Sequence, residues 1–269
     1  MLELIRFRRF DTALKQHYRA WGFMRKNRLT WFFLFPLFFN ALVFYGGVQL
    51  VSHWSDLAIE SMRGWLDLQA QQSDWAEYIW TGLYVIVWIV IRILFFIFFA
   101  YVGGYVVLLL LSPILAWLSE LTESKQRGTK TTFNAKLYLN NLFRGIAITL
   151  RCLILEALFT LIFFILGLIP LIGFAAPAGL FGVTAYYYGF SLMDYTLERR
   201  GYTMSQSIRF MRYYRGSVIG IGVPFSVVLI IPILGPFISG FVAIWGSVAA
   251  TLETLEILDS EAFEKNFKG

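Results

Sequence analysis

The chain is short of most of what a soluble protein uses. Charged residues fill only 15% of its 269 positions, against about 25% in an ordinary soluble domain, which excludes a typical cytosolic globule. There is a single cysteine, Cys152, and it lies inside an apolar run, so no disulfide framework exists and the redox compartment stays open. The only histidines are His17 and His53, too few and too far apart for a paired-histidine metal site, and neither flanks a serine nucleophile. No glycine-rich phosphate loop is present. These absences leave no basis for an enzyme, a metal or a cofactor. The first residues, Met1-Leu2-Glu3-Leu4-Ile5-Arg6, alternate apolar and charged groups without a short apolar core and a small-residue cleavage site, so no cleaved signal peptide is expected.

What the chain has is hydrophobic length. Hydrophobic residues make up 58% of it, with 27 Phe, 14 Tyr and 9 Trp, and the mean hydropathy is +0.64. Several apolar runs exceed the ~20 residues that cross a ~30 Å hydrocarbon layer. The sequence is that of an all-α integral membrane protein, whose first partner is the lipid bilayer. A net charge of +6 could suggest nucleic acid, but its distribution fits the positive-inside bias better, so no nucleic-acid partner is expected.

Residues 1–28 carry net +6, residues 53–78 net −4 and residues 112–145 net +3. This alternation puts the amino terminus in the cytoplasm, the 53–78 segment outside and the 112–145 segment in the cytoplasm again. Leu29–Ser52 and Ile79–Leu111 are the two long transmembrane helices. At ~1.5 Å per residue the second is ~50 Å long, too long for the bilayer alone. An apolar stripe at Leu115, Leu118 and Leu121 beside Ser119, Glu120 and Glu123 predicts that it continues as a cytoplasmic helix through Pro113. The 253–269 segment, net −3, reads as a polar cytoplasmic tail, leaving 29–252 as one helical membrane domain.

The second half contains two related patterns, Ile169-Pro170-Leu171-Ile172-Gly173 and Ile231-Pro232-Ile233-Leu234-Gly235, each approached from an Arg-Gly pair in a basic segment. Proline breaks each helix and glycine permits the bend, so Pro170, Gly173, Pro232 and Gly235 mark two hairpin turns. Neither turn carries a charge, and Ser217–Ile231 is only 15 residues, or ~22 Å as helix. Hairpins that re-enter the cytoplasmic side fit this pattern, especially for 217–252; ordinary spanning hairpins remain the alternative. Gly216-xxx-Gly220 reads as a helix-packing motif. Ahead of all this, residues 1–28 form a basic amphipathic segment with Leu2, Ile5, Phe10, Leu14 and Trp21 able to share a face. It is either a helix lying on the anionic leaflet or a basic tail that fixes orientation.

Charges at membrane depth are the candidate functional residues, because burying them costs at least ~2.5–3.5 kcal/mol. Arg92 reads either as an anion site or as an ion-pair partner of Glu156. Arg151 and Glu156 lie about 140° apart around a helix, so each needs a partner elsewhere or a water path. Asp194 sits near a cytoplasmic end, placed to cap or to pair with Arg199 or Arg200, and Glu120 and Glu123 are placed to organise the basic loops through ion pairs.

From about Arg25 to Leu252 the chain resembles the CysZ-like sulfate permeases, which share a domain with etoposide-induced-like membrane proteins. The resemblance is carried by Phe35-Pro36-Leu37-Phe38-Phe39-Asn40, by Ser112-Pro113 followed by Glu120 and Glu123, and by Asp194-Tyr195 with Glu198-Arg199-Arg200-Gly201. Phe210-Met211-Arg212-Tyr213-Tyr214-Arg215-Gly216 and both Ile-Pro turns add to it. It implies a multi-pass bacterial inner-membrane protein, both termini cytoplasmic, with two long helices and two partly penetrating hairpins. It also implies a homo-oligomer built from dimers that carries sulfate passively toward cysteine synthesis. The family's sulfate element is a Gly-apolar-Arg stretch shortly before the first-helix proline. Aligned on Pro36, the glycine position holds Arg28 and the arginine positions hold Thr30 and Trp31. Arg25 and Arg28 are the candidate anion-binding residues at the cytoplasmic mouth, with Arg92 or Arg151 deeper in. The rival reading is a non-transporting protein of the same fold that shapes the membrane or anchors a partner.

Overall fold

The computed structural model describes residues 9–67, 74–129 and 150–260, except 153, 164, 168, 170–172, 232 and 233. Among them every regular element is helical and there is no strand. Helix α1 (Phe10–Lys26) leads through a 3-10 turn (Thr30–Phe33) into α2 (Leu34–Asp67) and α3 (Asp74–Arg127). Then follow α4 (Leu150–Gly167), α5 (Ala176–Arg199), α6 (Met204–Tyr213), α7 (Arg215–Leu229) and α8 (Leu234–Leu258). Among the described residues four segments are long and apolar enough to cross a membrane: Thr30–Trp54, Val106–Arg127, Leu150–Gly167 and Phe237–Leu258.

The long second helix does continue. α3 runs 54 residues without a break through Pro113, and its carboxy-terminal half is the spine of the bundle. α8 packs alongside it in parallel with a fixed offset of 132 residues: Ser247 donates to the Leu115 carbonyl (3.2 Å), Ser119 meets Thr251 (2.8 Å) and Arg127 pairs with Asp259 (2.8 Å). α2 runs antiparallel to α8, with Phe33 stacked on Phe241 and the Asn40 amide donating to the Phe237 carbonyl at 2.9 Å. Gly240 lies in the crevice between α2 and α3, where an added Cβ would come within 3.0 Å of Pro36 and 3.1 Å of Leu111.

α5 and α7 touch backbone to backbone. A Cβ at Gly189 would collide with the Val218 carbonyl, and one at Gly222 with the Ala185 carbonyl, so only glycine allows this approach. The turn into α8 is equally tight: Gly235 donates to the Ile231 carbonyl at 2.9 Å, and a Cβ there would fall 2.6 Å from the Val228 oxygen. At the other turn Gly173 donates to the Ile169 carbonyl at 2.9 Å. Pro170 and Pro232, the other turn residues, lie outside the described residues. α6 opens with a capping box in which the Thr203 hydroxyl accepts from the Gln206 N–H and the Gln206 side chain accepts from the Thr203 N–H, satisfying two donors that the helix itself leaves free.

One expectation needs correction and another gains detail. α1 is a helix whose stripe buried against the bundle is Ala13, Gln16, His17, Ala20 and Met24, a different set from the Phe10, Leu14 and Trp21 expected to share an apolar face; Leu2 and Ile5 lie outside the described residues. The reason is close approach: α1 lies across α7 and α8, and Ala13 abuts Gly220, so small residues face inward while Trp21 is left 44% exposed. The last helix also passes the point where a polar tail was expected. It continues to Leu258, and Glu253 is completely buried.

Candidate functional site

The junction between α1 and α2 is built by a helix stop. Leu29 N–H bonds the Met24 carbonyl at 2.8 Å and Arg28 N–H bonds the Arg25 carbonyl at 3.3 Å, the paired bonds of a Schellman motif. That motif requires one residue in the left-handed region, and here it is Arg28, at φ 56°, the sole non-glycine among the described residues with positive φ. The site that the resemblance assigns to glycine is therefore the position whose backbone needs one. Leu29 and Phe32 anchor the junction in the core, while Arg25, Lys26 and Arg28 stay exposed beside Thr30. Trp31, where the resemblance expects an arginine, instead joins an aromatic group: its ring lies 4.3 Å from Phe32, 5.4 Å from Phe35 and 5.6 Å from Trp117. Three cations within four residues, next to the opening N–H groups of a helical segment, can hold an anion.

The remaining candidates are not gathered there. Arg92 pairs with Asp56 on α2 at 3.0 Å and lies 4.2 Å over the Trp88 ring; its partner is not Glu156. Arg151 is exposed. Glu156 is only 7% exposed and hydrogen-bonds Thr184 of α5. It is one of the residues around a partly open, mostly apolar cavity of about 30 Å³ between α3, α4, α5, α7 and α8, beside Cys152, Tyr187, Tyr188, Ser191 and Tyr195. Tyr188 stacks on Phe225 across this cavity at 3.6 Å. Asp194 is buried, but Arg199 and Arg200 turn to Glu123 instead.

Glu123 is the hub of one polar network. It accepts from Arg199 at 2.9 Å and Arg200 at 2.6 Å, and lies 3.5 Å from Arg127. Arg199 also donates to Ser119, which joins the buried hydroxyls of Thr196 and Thr251. Glu120, half-buried one turn earlier, adds its charge to the field at Arg199. This network ties α3, α5 and α8 together toward their carboxy-terminal ends.

A second network was not foreseen. Glu253 accepts from Arg9 (3.0 Å), Gln16 (3.3 Å) and Ser217 (2.8 Å), and Glu256 accepts from Arg9 (3.2 Å), Gln16 (2.8 Å) and Arg19 (2.9 Å). Burial alone would lower the Arg9 guanidinium, but its bonds to Glu253 and Glu256 outweigh that and raise it. The apolar spacing Leu252, Leu255, Leu258 was the available signal that the helix continued this far. Nearby, His17 is buried against Trp245, with ring centroids 5.1 Å apart, and burial holds its imidazole below the usual range. Among the described residues no three His, Cys, Asp or Glu side chains converge as a metal site.

The family model described as sulfate transporter CysZ/etoposide-induced protein 2.4 matches residues 17–239. That span takes in most of α1, the Arg25–Trp31 junction, the whole of α2 to α7 and the start of α8. A comparison with curated proteins found no match.

Proposed function

The chain belongs to the sulfate transporter CysZ/etoposide-induced protein 2.4 family, and from that premise we propose that it carries an inorganic anion, sulfate first, passively across its membrane. The observation that carries the reading is the α1–α2 junction, where Arg25, Lys26 and Arg28 stand exposed at the mouth of a membrane helix. A doubly charged anion leaving water needs such donors to replace its hydration. Thr30 and Trp31 in place of the family's arginines leave the charge to residues on the preceding turn. Arg92, held by Asp56, and Arg151, open on α4, are the candidates for contacts deeper along the route.

The membrane arrangement follows from helix lengths. Asn40, which bonds the start of α8, lies ten residues after Thr30, or ~15 Å along the helix. The α7–α8 turn therefore sits near mid-bilayer if the hydrocarbon layer begins at Thr30, while α2 continues for 27 residues beyond Asn40. α7 itself, at 15 residues, is too short to span. We read α7–α8 as a re-entrant hairpin and leave the longer α4–α5 pair as the one able to cross. The Arg9–Glu253 bond joins the start of α1 to the last turns of α8, which supports our reading that both termini lie on the side marked as cytoplasmic by the basic residues of 1–28. Inner-membrane residence, assembly from dimers and supply of cysteine synthesis belong to this reading.

The test is labelled-sulfate uptake into proteoliposomes with chloride and phosphate as competitors. Sulfate-selective uptake is expected. Absence of uptake by protein shown to be folded and inserted would favour the non-transporting organiser.

A further inference from the structure

We infer that the outward face of α1 is a docking surface for the headgroups of anionic phospholipids in the leaflet that α2 enters. The inference uses the depth assigned above to the α7–α8 turn and is independent of what the protein carries.

α1 has two faces of opposite chemistry. Its small and uncharged stripe, Ala13, Gln16, His17, Ala20 and Met24, is buried on α7 and α8. The opposite side presents Asp11, Lys15, Tyr18, Gly22, Arg25 and Lys26, all exposed. At 3.6 residues per turn these six fall within a stripe about 100° wide. Leu14 and Trp21 border it on one edge and Arg19 on the other. Three cations therefore share the stripe with one acid, Asp11, which sits at its far end. Arg28, also exposed, follows directly after. Tyr18 is 84% exposed, so its ring is offered almost whole to whatever lies outside the bundle.

Depth decides what that is. Asn40 bonds the Phe237 carbonyl ~15 Å below the level of Thr30, and Trp245 lies eight residues further along α8, ~12 Å back toward the cytoplasm. The Trp245 indole N–H donates to the His17 carbonyl at 2.7 Å. The middle of α1 is thus within ~3 Å of the level where α2 enters the hydrocarbon layer. Its first residue stands higher, because Arg9 reaches Glu253 and Glu256, which lie ~12–16 Å beyond Trp245 along α8. α1 descends from the cytoplasm into the headgroup layer, and its outward stripe comes with it.

A cationic stripe alone suits any anionic partner, but this one carries rings at the level where lipid begins. Tyr18, Trp21 and Trp31 are exposed there, and the exposed apolar surface continues just below them on α2 through Leu34, Leu37 and Phe38. Tyrosine and tryptophan favour the boundary between headgroup and acyl chain, where one end of the ring system is dry and the other wet. Lysine and arginine beside them gain from anionic headgroups. The partner with both chemistries at that depth is an anionic phospholipid.

The experiment places the full chain in phosphatidylcholine nanodiscs with a small fraction of spin-labelled phosphatidylglycerol or spin-labelled phosphatidylcholine, the label near the headgroup. The emission of wild type minus that of Trp21→Phe isolates quenching of Trp21. The glycerol lipid is expected to quench at about fivefold lower mole fraction than the choline lipid, the factor for one cation beside an anionic headgroup. In Lys15→Gln/Lys26→Gln, or in 1 M salt, that preference is expected to fall below about twofold. Equal quenching by the two lipids, or a preference that the double variant keeps, would overturn the inference and leave the depth standing. Stronger quenching by labels at the chain end, or none by any label, would show the depth to be wrong and overturn the headgroup contact with it. Loss of the preference on adding 10 mM inorganic phosphate, at an ionic strength held constant, would show that these cations take a free anion instead. Should the double variant not insert, Lys15→Gln alone replaces it, and an unmoved preference overturns the inference equally.

Discussion

Arg28→Gly is expected to make the protein more stable although it deletes a charge. Arg28 sits at φ 56°, in the left-handed region where a Cβ crowds the following carbonyl and costs ~1–2 kcal/mol. Glycine removes that strain but gains freedom in the unfolded chain, which offsets ~0.5–1 kcal/mol. The net gain is about 0.75 kcal/mol at the centre of a range from about 0 to about 1.5, or an upward shift in thermal midpoint of about 1.5–3 °C for a chain of this size. Arg28→Ala is the control, because it deletes the same charge and keeps the strain. The assay is thermal unfolding of purified protein in one detergent, followed by tryptophan fluorescence. The difference between the Gly and Ala variants isolates the backbone effect from the electrostatic one. Equal midpoints for the two variants would show that Arg28 carries no backbone strain and would refute the reasoning.

Glu253→Ala should destabilise by about 2–3 kcal/mol, below the full loss for a buried pair because Arg9 keeps some contact with water; denaturant or thermal titration checks it. Gly222→Ala forces apart two helix backbones and should cost about 2–3 kcal/mol, visible as a lower midpoint or as loss of accumulated protein. Burial holds the folded His17 imidazole below its ordinary 6.5, so the folded chain resists its protonation. Its share of stability is present above that unfolded value and fades as pH falls below it, when the unfolded chain takes up a proton that the folded one resists. His17→Phe should accordingly show a shallower loss of thermal midpoint between about pH 7 and 5 than wild type.

Helix identity was legible where hydrophobic length and periodicity decide it. The 54-residue α3 followed from a stripe of leucines that outlasted the apolar run, and the two turns from a proline and a glycine in an uncharged stretch. Partners were not legible, since they depend on which helix faces lie together. Arg92 has its acid on α2, at Asp56, because the first two long helices run antiparallel in a register no sequence spacing states. Arg199 turned to Glu123 rather than Asp194 because α5 ends beside α3. Polarity misplaced the start of the tail: a glutamate inside a bundle, met by Arg9, Gln16 and Ser217, looks in sequence like a glutamate in solvent. The family resemblance pointed to the stretch from Arg25 to Trp31, and the left-handed backbone at Arg28 shows why a glycine would suit that position.

Anion passage at the α1–α2 junction is tested most directly by comparing sulfate uptake of wild type and the Arg25→Gln/Arg28→Gln double variant in the same proteoliposomes at equal protein content. The account predicts sulfate-selective uptake by wild type and at least a tenfold reduction in the double variant, on the order of the ~1.5–3 kcal/mol carried by a charge-assisted bond. Equal uptake by two folded, inserted proteins would contradict it.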